Sequence, residues 1–215
     1  MTAGRLSALS IAVTIFYGSS AEVVFAEQRE AAIVVQVENE CGLSQTALNE
    51  AEQLAARIYE AIGVRTTWVQ GEVPFQDPRG LRVHVHLLSR KMADRKIAKE
   101  RIGADVLGQA NRPARLVYIF CARIGEASVK YMQEYIRLLG LVVAHEMGHV
   151  LLPVQSHSDT GIMRGGVDVW SKTVKYFTAE QGDAIRSMLL RESRTGSLSN
   201  PVHELRTPKM IAQRT

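Results

Sequence analysis

Val143-Ala144-His145-Glu146-Met147-Gly148-His149-Val150-Leu151-Leu152-Pro153 is the stretch from which the rest of the chain is best read. On a helix, residues four apart share a face, so the imidazoles of His145 and His149 can converge on one ion at roughly 2.0 to 2.1 Å each. Glu146 follows the first of them, where its carboxylate can reach a water on that ion without itself coordinating. Zinc lowers the pKa of such a water toward roughly 7 and polarises a carbonyl, leaving the carboxylate to take the proton and hand it to a leaving amine. Those are the parts of amide hydrolysis.

The helix that carries these residues is visible in the sequence. Val129, Met132, Ile136, Leu139, Val143, Met147 and Val150 recur at the spacing of one apolar helical face. Pro153 stops the run, because the residue before a proline is pushed out of the helical region. Toward the N-terminus, Leu116 to Cys121 reads as a short apolar strand, set off by Pro113. Arg90 to Arg101 crowds Lys91, Arg95, Lys96 and Lys99 with no aromatic residue. It reads as a solvated helix rather than a nucleic-acid platform, which interleaves stacking rings. Leu81, Val83, Val85 and Leu87 alternate with Arg82, His84 and His86, a half-buried strand. His84 and His86 share its polar face, where a solvated or hydrogen-bonded role outweighs metal binding. Earlier still, Ala32 to Val37 reads as a strand buried on both faces. Ser44 then caps a helix bearing Leu48, Ala51, Leu54, Ile58 and Ile62, which Gly63 ends. Val64 to Val69 is a further strand, and the segment from Gly71 to Gly80 a loop. Downstream, Thr178 and Gln181 form a capping box that opens a last helix through about Arg191.

The chain has 215 residues, 46% of them apolar and 22% charged, enough for one hydrophobic core but hardly two. Its formal charge of +4 is too modest to argue for nucleic acid or an anionic membrane. Arg191 to Thr215 holds five Lys or Arg residues against Glu192 and Glu204, a net of +3, so most of the excess is local. Arg5, the apolar run from Leu6 to Tyr17 and small residues at Ser19-Ser20-Ala21 or Val24-Phe25-Ala26 have the layout of a secretory signal peptide. The run is too short to span a membrane. Residues 1–26 are thus expected to be a leader, 27–191 one catalytic domain and 192–215 a flexible basic tail, in a secreted or periplasmic protein. Cys41 and Cys121 are the two cysteines. An exported chain permits a disulfide between them, and two separate buried thiols are the alternative.

On His145-Glu146-Met147-Gly148-His149, a downstream His157 and Gly161-Ile162-Met163, the chain resembles the metzincin clan of zinc peptidases. The resemblance implies an α+β, zincin-like fold. Its sheet would be mixed and twisted, packed on helices, with one antiparallel edge strand beside the substrate cleft. An active-site helix, a methionine turn at Met163 and a C-terminal helix would follow. It also implies one catalytic zinc ion, Glu146 as the base, and a peptide or protein substrate. One departure stands out: Leu152 and Gln155 occupy the positions where the clan has a glycine and its third histidine. The third ligand is therefore placed at His157, two residues late, with Asp159 as the competitor because carboxylate also binds zinc. Gly165 stands where some members carry a tyrosine, which leaves Arg164 or Tyr176 as weak candidates to assist at the oxyanion. Two other functions use the same residues: a non-catalytic, zinc-stabilised binding domain, and a zinc amidase on a non-peptide substrate. Glu146 favours an enzyme, since a closed structural site has no use for a base beside the metal.

Overall fold

The computed structural model describes residues 30–71, 81–128, 132–154, 156–166 and 173–198. The expected leader, residues 72–80 of the expected loop, and the tail from 199 onward lie outside them. The described strands are β1 (Ala32–Asn39), β2 (Arg65–Gln70), β3 (Leu81–Leu88), β4 (Gly108–Asn111) and β5 (Leu116–Phe120). The helices are α1 (Gln45–Glu60), α2 (Arg90–Glu100), α3 (Cys121–Ala127), α4 (Met132–Leu151) and α5 (Ala179–Leu198). The strands form one mixed sheet in the order β2-β1-β3-β5-β4. All neighbours run parallel except β4, which pairs antiparallel with β5, Gly108 opposite Ile119 and Asn111 opposite Leu116.

One face of the sheet makes the core. Ile33, Val35 and Val37 of β1, Val83 and Val85 of β3, and Val117 and Ile119 of β5 are nearly or wholly buried there, together with Leu54 and Ile58 of α1 and Leu138, Leu139 and Val142 of α4. A side chain of this size contributes roughly 1.5–3 kcal/mol when fully buried, so the face holds the domain together. The opposite face is more polar, apart from a small apolar cluster of Leu88 and Phe120 with Ala93 of α2, and the expectation for β1 holds there only in part. Val34 is only partly buried, and Gln36 accepts a hydrogen bond from Arg82 across the sheet (2.7 Å). Parallel strands read as continuous apolar runs where both faces are covered, and the second face of β1 is covered in part: Gln36 is 5% exposed, Ala32 and Val34 half-buried.

Ser44 caps α1 as expected, its hydroxyl accepting from the Ala47 amide (3.3 Å). Thr178 and Gln181 close the capping box of α5 with bonds of 3.0 and 3.3 Å. α5 continues to Leu198 rather than stopping near Arg191, and docks on the turn after α1 through Arg186, which donates to the Ile62 carbonyl (2.6 Å). Two elements have no counterpart in the local sequence patterns. β4 is a four-residue strand without alternation, and α3 begins at Cys121, where the preceding strand was expected still to run. Cys41 and Cys121 form a disulfide, Cα atoms 6.3 Å apart, joining the loop after β1 to the start of α3. No helix among the described residues is long and apolar enough to cross a membrane.

Candidate metal centre

α4 carries His145, Glu146 and His149 near its C-terminal end; the chain then turns at Pro153 and returns with His157. The three histidines are brought together. Their ligand atoms all lie within 4.8 Å of one another, and the His145 and His149 Nε2 atoms are 3.0 Å apart. Donors bonded to one ion at 2.0–2.1 Å in tetrahedral geometry stand roughly 3.3 Å apart, so the set fits a small N-ligated ion with slight adjustment. The other ring nitrogens are engaged. His145 Nδ1 lies 2.7 Å from the Ile162 carbonyl and, donating there, leaves the Nε2 lone pair to face the other rings. His149 Nδ1 lies 2.9 Å from the Ser156 hydroxyl. Burial pulls the His145 pKa below its usual range, the Ile162 carbonyl opposing and His157 reinforcing. His149 is lowered to about 4, first by burial and then by the neighbouring His145 and His157. Both rings are thereby kept in the neutral form that metals require.

Glu146 is 8% exposed, and burial raises its carboxyl to about 7. β4 passes directly against it. A Cβ built on Gly108 would stand 2.7 Å from Glu146 Cγ and 3.1 Å from Oε1, so only glycine lets the strand come this close. Beneath the histidines, Met163 is wholly buried with its sulfur against Gly148, where a Cβ would collide with it. Phe177 packs on the same spot and stacks tilted on Tyr59 at 5.1 Å between centroids. Tyr59, fully buried on α1, donates to the carbonyl of Ala144 beside the first histidine (3.1 Å). Met163 also accepts from the Ser158 amide (3.0 Å), and Gln181 of α5 donates to the Ser158 hydroxyl (3.0 Å). The loop bearing His157 is thus tied to the last helix.

The site opens into a cleft of about 830 Å³ whose walls include Gly108 to Ala110 of β4, Arg123, and the turn from Pro153 to Val154. β4 ends the sheet, so the edge it turns away from β5 has no strand partner among the described residues. Asp159 is not in the cluster; it lines a smaller recess with Arg164 and Lys175. Neither Arg164 nor Tyr176, the candidates for assisting at the oxyanion, is among the residues that wall the cleft. His84 and His86 join no metal-binding group among the described residues, and His86 instead lies 3.3 Å from Glu38. Ser156, Gly108, Tyr59 and Arg123 were not singled out from sequence, since each acts through a contact between segments distant in the fold or on the far side of a turn.

No family model matches the chain, and no curated protein sequence does. Among solved structures, the crystal structure of archaemetzincin from Methanopyrus kandleri is similar, with 12% sequence identity and a TM-score of 0.48 over 78% of this chain and 100% of that one. At that level the likeness decides nothing about activity.

Proposed function

We propose that the chain is a zinc-dependent peptidase in which His145, His149 and His157 hold the ion and Glu146 is the general base. The observation that carries this is the convergence of three imidazoles beside a buried carboxylate, in a cleft walled by a free strand edge. When bound, such an ion polarises a carbonyl and makes a coordinated water acidic enough to serve as a nucleophile near neutral pH. Glu146 takes a proton on its carboxylate and releases it to the leaving amine. The outward edge of β4 offers backbone donors and acceptors to an extended chain, which favours a peptide over a compact amide as substrate. Zinc is the choice among metals because an all-imidazole set beside a proton-transfer group serves hydrolysis without redox chemistry. We further place the protein outside the cytosol, secreted or periplasmic; the Cys41–Cys121 disulfide supports an oxidising compartment.

The test is metal analysis combined with hydrolysis of a mixed peptide library. The native protein should bind about one zinc per chain and cleave peptides, losing cleavage to a chelator. Glu146→Gln should keep the metal and lose activity by roughly 10²-fold or more. Zinc-loaded protein that cleaves nothing in the library would sink the peptidase assignment in favour of a zinc-stabilised binding domain.

A further inference from the structure

We infer that Arg123 is a positioning residue that holds the edge strand β4 in place along the cleft; this rests on the peptidase reading above. Arg123 lines the cleft, yet its charge is directed at the protein's own backbone. Its Nη1 donates to two carbonyls of the turn that leads into β4, Gly103 (2.5 Å) and Val106 (2.7 Å). Its guanidinium also lies 5.5 Å from the centroid of the wholly buried Phe120 ring. The next residues along the turn are held as well. The Leu107 carbonyl accepts from the Phe120 amide at 2.9 Å, and Gly108 abuts Glu146 with no room for a Cβ. Val106, Leu107 and Gly108 are held at successive residues, so a shift at the turn is passed to the strand edge, where a long peptide would lie.

Arg123 is itself fixed. It stands two residues after Cys121 on α3, and the disulfide anchors that helix to the loop following β1. A charged donor shared between two carbonyls makes a stiffer brace than a neutral one. Lysine, a single point charge on a flexible stem, reproduces it only in part.

The experiment compares the full-length zinc-loaded protein with Arg123→Ala and Arg123→Lys. The first readout is amide hydrogen exchange at Gly108–Asn111; the second is kinetics on a long peptide that spans the cleft and on a short one that does not. Arg123→Ala should retain zinc and exchange its β4 amides roughly tenfold faster, the scale of one charge-assisted hydrogen bond. KM should rise about tenfold for the long peptide and stay near native for the short one, with Arg123→Lys between. A merely structural role would damage both substrates alike and release metal, and that result would overturn the inference. So would unchanged exchange in β4, whatever the activity. A wild-type protein inert to all peptides would defeat the peptidase reading, and the exchange comparison would still decide whether Arg123 braces the strand.

Discussion

Glu146 sits where solvent can hardly reach it, and the consequence shows in stability as well as in chemistry. Its folded pKa of about 7 lies above the ordinary 4.5. The folded state therefore binds this proton more tightly than the unfolded one. The resulting stabilisation is complete below pH 4.5 and is lost as pH rises through about 7, a swing of up to about 3 kcal/mol. His149, lowered to about 4, acts the other way, costing stability as pH falls from 6.5 toward that value. That term is shared by wild type and Glu146→Gln and cancels between them. In urea denaturation of chelated protein, wild type should lose more stability than Glu146→Gln between about pH 5 and about pH 8. Parallel pH profiles would show that the carboxyl is not desolvated.

His157 and Asp159 separate as cleanly. His157→Ala should weaken zinc binding beyond the roughly 10–100-fold typical of losing an outer partner, and Asp159→Ala should leave it unchanged. The reverse in a competition titration would reassign the third ligand. His145, Glu146 and His149 were legible in the sequence because a helix turns spacing into geometry. His157 was reached less directly, since the loop carrying it has no period to fix where it lands. Ser156 and Tyr59 gave no signal, because what matters is the contact each makes in the folded chain.

At the scale of elements, α4 was legible for the same reason as its ligands: its apolar positions recur at helical spacing through the buried stretch from Ile136 to Leu151. β4 was not. Four residues, Gly-Gln-Ala-Asn, carry neither alternation nor β-branched side chains, and only pairing with β5 makes them a strand. α3 was hidden because Cys121 completes an apolar run that looked like continuing strand. The packing of α4 on Met163 gives its own prediction. Gly148→Ala places a methyl where the Met163 sulfur lies, an overpacking that should cost about 1–3 kcal/mol in thermal or urea unfolding. Alanine is also the better helix former, so an unchanged or raised stability would mean that Met163 does not press on the helix.

For the whole molecule, the disulfide closes a loop between residues 80 apart and ties the loop after β1 to the helix that carries Arg123. Replacing both cysteines by serine should cost roughly 2–5 kcal/mol, read as a lower urea midpoint, and reduction of the native protein should do the same. Equal stability in both redox states would mean the crosslink constrains nothing.

The outer edge of β4 has one more consequence. An unpaired strand edge is open to any extended chain, including a neighbouring copy of the same protein. Here it is four residues long and lies along a cleft beside α4. A single unfolded strand can enter such a recess, whereas a folded copy would have to bring a whole sheet with its own edge. Under the peptidase reading, the edge therefore favours loose chains over folded ones as its occupants.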